Sequence, residues 1–241
     1  MAHAMGGLYS DDGNIEIYNN HAVALQNSIN NGYKIIELDL ILTSDEKLVC
    51  SHGWKKQTYN DTGVKYNSNE PIMSYDRFMN TKIQGKYKTM DVYDWKEYVI
   101  NNPNILWEVD LRTISYYEAS VTAEKLCEAF DYNSELLNRM LIQVGSKDMY
   151  MAFSETFDFK YYQYFIHKSE LSKIDSILKF CKKHNFAGMA VNSNYMTKER
   201  IDKIHNSNMK VLCYTVDDIK QAKKYINMGG RLYMYKLYFT I

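Results

Sequence analysis

Eight apolar, β-rich runs mark this chain, at residues 1–4, 34–42, 105–111, 140–144, 157–165, 188–191, 210–216 and 231–239. Several are apolar without clean alternation, the pattern of strands covered on both faces. Amphipathic stretches fall between most of them. Leu171, Ile174, Leu178 and Cys181 recur at helical spacing, and Ile219, Ala222 and Ile226 repeat the pattern ahead of a candidate C-capping glycine, Gly229. Residues 21–29, 91–100, 117–130 and 197–205 read as further helices, the last with Thr197 as its N-cap. Strand–helix alternation with eight strands predicts an α/β fold closed as a parallel (β/α)8 TIM barrel. An open doubly wound sheet would show the same order of elements. At 241 residues the chain suits one such barrel, and no linker, repeat or low-complexity stretch divides residues 1–241 into two domains.

One segment breaks the rhythm. Residues 47–52 read as a continuation of the second strand through a turn at Ser44, Asp45 and Glu46. After them, residues 53–89 are polar and lack a strong period, with Gly63, Pro71 and Gly85 among them. A loop of that length inside a compact domain is usually functional or poorly ordered. It reads as an insertion over the mouth of the active site, against the plainer alternative of a surface excursion.

Lysine and arginine total 29, as do aspartate and glutamate, so the basic excess of a nucleic-acid binder is missing. Cys50, Cys127, Cys181 and Cys213 show no CxxC spacing, which suits buried thiols in a reducing, cytoplasmic compartment. No run is apolar and long enough to predict stable membrane insertion, and no signal peptide is visible. A candidate catalytic residue at position 3 leaves a first strand almost no room, which suggests a truncated or misassigned start.

The chemistry concentrates in two short strands. In Ile35-Ile36-Glu37-Leu38-Asp39-Leu40 the two acids are two apart, so they share one side of a strand inside apolar surroundings. Like charges buried together need a positive partner, and a hard divalent cation, Mg2+ or Ca2+, suits oxygen ligands. A solvated strand end, or pairing with Lys or Arg, is the plainer reading of a lone pair of this kind. Ile105 to Arg112 repeats the pattern with Glu108 and Asp110, followed by Arg112 on the same face. On a neighbouring barrel strand Asp110 or Glu108 would complete the metal site, and Arg112 would hold a phosphate bidentately or form a structural pair with Asp110. His3 and His52 each close a short apolar run, which places them at strand C-terminal ends, where barrel active sites form. Two imidazoles can divide acid and base duties near neutral pH. His21, His167, His184 and His205 read as surface or packing residues.

Taken in order, Ala2-His3-Ala4, Ile36-Glu37-Leu38-Asp39-Leu40, Thr43-Ser44-Asp45-Glu46 and Val49-Cys50-Ser51-His52 resemble the opening of the glycerophosphodiester phosphodiesterase family. That family sits within the phosphatidylinositol-specific phospholipase C-like phosphodiesterases. Asp110-Leu111-Arg112 is similar to the family's acidic residue two before a basic one, and Tyr214-Thr215-Val216-Asp217 to its W-T-V-N strand end. The resemblance implies that His3 and His52 are the acid–base pair, that Glu37, Asp39 and Asp110 ligate the metal, and that Arg112 binds phosphate. It implies metal-dependent hydrolysis of a small glycerophosphodiester-like substrate. An inactive phosphate- or metal-binding barrel and a related phospholipase or phosphodiester lyase are the alternatives. The chain also departs from the pattern. Ala4 replaces an arginine, which leaves phosphate binding to Arg112 or to a loop lysine such as Lys55. Asn19-Asn20-His21 keeps only the asparagine of Glu-Asn-Thr, Gly53 replaces the acid after the second histidine, and Tyr235-Lys236 stands for a Thr-Asp ending.

Overall fold

The computed structural model describes residues 1–9, 15–16, 20–113, 115–216 and 218–232. A short antiparallel pair, β1 (Leu8–Tyr9) and β2 (Ile15–Glu16), leads into α1 (Ala22–Asn30), β3 (Ile35–Leu42) and β4 (Leu48–Cys50). The insertion holds α2 (Lys56–Asp61), α3 (Tyr75–Met79) and an antiparallel pair, β5 (Lys82–Ile83) and β6 (Tyr87–Lys88). Then come α4 (Val92–Asn101), β7 (Leu106–Leu111), α5 (Tyr116–Ala129), α6 (Ser134–Leu137), β8 (Met140–Val144), α7 (Lys147–Thr156) and β9 (Tyr161–Phe165). A 3-10 turn at Lys168–Lys173 precedes α8 (Ile174–Lys183), followed by β10 (Gly188–Asn192), α9 (Lys198–His205), β11 (Lys210–Tyr214), α10 (Ile219–Asn227) and β12 (Arg231–Leu232).

Strands β3, β7, β8, β9, β10, β11 and β12 form a parallel sheet in chain order, flanked by helices, which is the strand order of a TIM barrel. Ala2 adds a parallel bridge to Ile36 at the free side of β3. The expected first strand over residues 1–4 is therefore a single bridge, because the backbone turns at once into the left-handed region at Ala4 and Met5. After the expected turn at Ser44, Asp45 and Glu46, Leu48–Cys50 of residues 47–52 are strand, β4, which folds back antiparallel to the upper end of β3. The strand expected over residues 157–165 begins only at Tyr161, since Phe157 caps the unforeseen helix α7. Of the last expected strand, Arg231 and Leu232 are strand, and residues 233–239 lie outside the described residues.

Ile36, Leu38 and Leu40 are fully buried on the helix-facing side of β3, so Glu37 and Asp39 face the barrel interior. Trp95 of α4 packs edge-on against Trp107 and Phe130, at ring distances of 5.9 and 5.2 Å, and anchors that side of the core. Residues 53–89 are not an open loop. Val49, Tyr59, Met73 and Phe78 form a small core of their own. Several contacts tie it to the barrel, among them the Trp54 indole donating to Leu42 O at 2.8 Å, the Tyr75 hydroxyl donating to Asp91 at the cap of α4, and Tyr87 stacking on His21 at 4.3 Å. His21 thus serves as a buried cap of α1, its Nδ1 accepting from Ala24 N. Among the described residues no helix is long and apolar enough to cross a membrane.

Candidate active site

The parallel register of β3 and β7 sets Glu37 level with Glu108 and Asp39 level with Asp110. One oxygen each from Glu37, Asp39 and Asp110 lies within 4.8 Å of the others. Glu108, which could have completed this group, stands outside it. It sits one pleat deeper than Asp110, and its Oε1 accepts from the Gln163 amide of β9 at 2.8 Å. The same amide reaches Gln143 Oε1 at 2.9 Å, so a polar network fills the interior beneath the trio.

The tight turn after Ala2 places His3 over Glu37. Ala4, Met5 and Gly6 take positive φ values of 47°, 64° and 107°. The two non-glycine residues are held there by partners. Met5 N–H donates to Glu37 O at 2.7 Å, and Ala4 N–H donates to the Glu37 carboxyl. His3 Nε2 then lies 3.8 Å from Glu37 Oε2. Ala4 is buried and meets the Glu37 carboxyl through its backbone N–H.

Arg112 spans two of the three acids. Its Nη2 lies 2.6 Å from Asp39 Oδ1 and 3.0 Å from Asp110 Oδ2, while its Nε donates to Asp39 Oδ1 at 2.7 Å. These contacts are those of the structural-pair reading of Arg112, with Asp39 joining Asp110. Asn20 grips Asp39 from the other side, donating from Nδ2 to Oδ2 at 2.7 Å and accepting the Asp39 N–H at 3.1 Å.

Burial, reinforced by Asp39 and Asp110, holds the Glu37 carboxyl well above the usual range. Burial also raises Asp110, with the Arg112 guanidinium opposing it. Burial pushes on Asp39 too, but Arg112, the two histidines and the Asn20 hydrogen bond outweigh it and hold that carboxyl low. Burial depresses His3 to about 3 and also lowers His52. The His3–Glu37 contact is therefore no ion pair in the chain by itself. The trio fits a divalent cation on its own chemistry. Its donors are all hard oxygens gathered in a buried site, and Glu37 Oε1 is buried with no hydrogen-bond partner among the described residues.

A cavity of about 230 Å³ opens above the trio, lined by His3, Glu37, His52, Asp110 and Arg112. The structure so brings both histidines to the carboxylates. Lys55 is not brought in; it is exposed at the start of α2 and lines a neighbouring groove. Gln143, Phe165, Asn192, Tyr214 and Thr215 also line the cavity and were not singled out as site residues. Their signal was positional, since polar Gln143 interrupts an apolar strand and Asn192 ends one. Tyr214 and Thr215 match the late motif, whose Asp217 lies outside the described residues, as do Asn19, Tyr235 and Lys236.

Parallel strands that present acids, a guanidinium and imidazoles at one end define a barrel enzyme that handles an anionic group. The sequence pattern of the glycerophosphoryl diester phosphodiesterase family matches residues 18–231. The chain belongs to that family and, with it, to the phosphoric diester hydrolases. The matched span begins after His3, so the placement of that residue rests on the geometry above. Solved structures share the fold. A Galdieria sulphuraria protein assigned as a glycerophosphodiester phosphodiesterase aligns with a TM-score of 0.77 at 13% identity, over 98% of this chain and 92% of its own. The glycerophosphodiester phosphodiesterase of Thermotoga maritima aligns at 0.69 with 16% identity, over 98% and 93%. An Oleispira antarctica phosphodiesterase, solved with its product sn-glycerol-3-phosphate, aligns at 0.71 with 14% identity, over 88% and 85%. No curated protein matches the chain.

Proposed function

We propose that this protein hydrolyses a glycerophosphodiester-like substrate in a reaction that depends on Mg2+ or Ca2+ and uses His3 and His52 as acid and base. One observation carries the reading: both imidazoles, two of the three carboxylates and Arg112 line a single cavity. Glu37, Asp39 and Asp110 would hold the cation, and a cation there would offset charge on the phosphate and polarise its oxygens. Arg112 meets Asp39 and Asp110 through Nε and Nη2 and lines the cavity, so its Nη1 would be the donor to a phosphate oxygen. Burial favours the neutral form of both imidazoles, the form that can accept a proton. The imidazole facing the leaving oxygen would take up a proton from solvent once the phosphate anion lies beside it, and pass that proton to the leaving oxygen. Asn20 holds the Asp39 carboxylate in place beside those of Glu37 and Asp110.

The test is phosphodiester hydrolysis by purified wild type, His3→Ala and His52→Ala, with circular dichroism melts as the check on folding. Each variant should lose about 10²-fold or more in kcat while melting as a folded protein. Turnover near the wild-type rate in either variant would remove that histidine from the mechanism.

A further inference from the structure

We infer that the alcohol esterified to the phosphate is apolar, and that it lies in a groove between the 53–89 insertion and the barrel rim. The inference rests on the phosphodiesterase reading above and names its substrate class.

The groove, about 500 Å³, adjoins the catalytic cavity, and His52, Asp110, Arg112 and Phe165 line both. Its volume falls in the range of small-molecule sites. A phosphate held at Arg112 would therefore have the groove within reach of one ester arm. The groove as a whole exposes more hydrocarbon than polar surface, with Ile41, Trp54, Leu111 and Met149 in its lining beside the polar Lys55, Gln57, Asp61 and His167. Its aromatic walls are fixed in advance. Trp54 is pinned by its bond to Leu42 O and by edge contact with Phe78 at 5.7 Å, and Phe165 is stacked on Tyr214 at 4.9 Å. Rigid aromatic walls add apolar contact at little entropic cost.

Charge does not favour a cationic alcohol. Lys55 and Asp61 oppose each other in the groove lining, and Asp61 already accepts from Gln57 Nε2 at 2.7 Å. An ammonium head group would need acids or an aromatic cage without a competing lysine. Trp54, Lys55 and Asp61 all come from the insertion, so the segment that interrupts the barrel sets the selectivity.

The test compares glycerophosphodiesters of n-alkanols from ethanol to octanol, and of choline against 3,3-dimethylbutanol, its neutral isostere. We expect kcat/KM to rise about threefold to fourfold per buried methylene, and the dimethylbutyl ester to be cleaved faster than the choline ester. Trp54→Ala should flatten the chain-length dependence. Because Trp54 also packs the insertion core, Gln57→Trp provides a second variant that fills the groove from an exposed position and should also lower the octyl-to-ethyl ratio. Turnover with no chain-length dependence, faster cleavage of the choline ester, or an unchanged ratio in both variants would overturn the inference alone. No turnover of any diester would overturn the phosphodiesterase reading and this inference with it.

Discussion

Replacing Arg112 with methionine leaves the apolar stem and removes the only guanidinium that touches the acidic trio among the described residues. The wild-type contacts at 2.6, 2.7 and 3.0 Å bind one cation to two buried carboxylates. Breaking one side of a buried pair costs about 3–5 kcal/mol. The Arg112 side chain keeps 27% of its exposure, and discounting for solvent screening leaves about 2–3 kcal/mol. For a chain of this size that is roughly 5–10 °C in Tm. The pH dependence follows from the same groups. Glu37 and Asp110 are held above their ordinary values, so folding takes up protons and stability falls as pH rises through their folded values. Asp39 runs the other way in the wild type: it is held low, mainly by Arg112 acting against burial, and contributes stability above its ordinary value that is lost as pH falls. Arg112→Met removes the second contribution and enlarges the first. Melting curves in EDTA should therefore show a larger deficit at pH 8 than at pH 5. Adding Mg2+ or Ca2+ should recover more stability in the variant than in the wild type. A variant that melts within about 2 °C of wild type at both pH values would refute this electrostatic account.

Two further substitutions probe the supports of the site. Asn20→Ala removes both hydrogen bonds to Asp39, one of them to a buried charge, and should cost about 2–3 kcal/mol in urea unfolding, with weaker cation binding; an unchanged midpoint would contradict it. Gly6→Ala would set a Cβ 2.1 Å from Ser28 Oγ, which donates to Met5 O at 2.8 Å, at a φ of 107°. The loss of about 1–3 kcal/mol should shrink in a Ser28→Ala background, where the clash is gone and the backbone strain remains; equal losses in both backgrounds would exclude the clash.

Much of the barrel was legible because its strands are buried on both faces and read as continuous apolar runs. β7 and β8 fall within one residue of their expected positions for that reason. The acidic trio was legible because period-two spacing in β3 and β7 fixes which side chains share a face. The choice between Asp110 and Glu108 was not, since it turns on Gln163 from β9, a partner distant in sequence. Helix α7 went unseen although Met149, Ala152 and Phe153 follow helical spacing behind the Ser146 cap, because the aromatic residues from Phe157 onward read as the start of a strand. The insertion went unread as structure because its elements are too short to show a period. Rings brought together by turns hold it, such as Tyr59 on Tyr66 at 5.1 Å. Nor does any local pattern announce a barrel strand reduced to the single bridge at Ala2.

Calorimetric titration of Mg2+ or Ca2+ into EDTA-stripped, dialysed protein bears most directly on the claim that Glu37, Asp39 and Asp110 gather one divalent cation. We predict one site per chain in the wild type and loss of that binding in Asp110→Asn, with hydrolysis lost in parallel. Unaltered binding in Asp110→Asn, or full hydrolysis by the stripped wild type, would contradict the account.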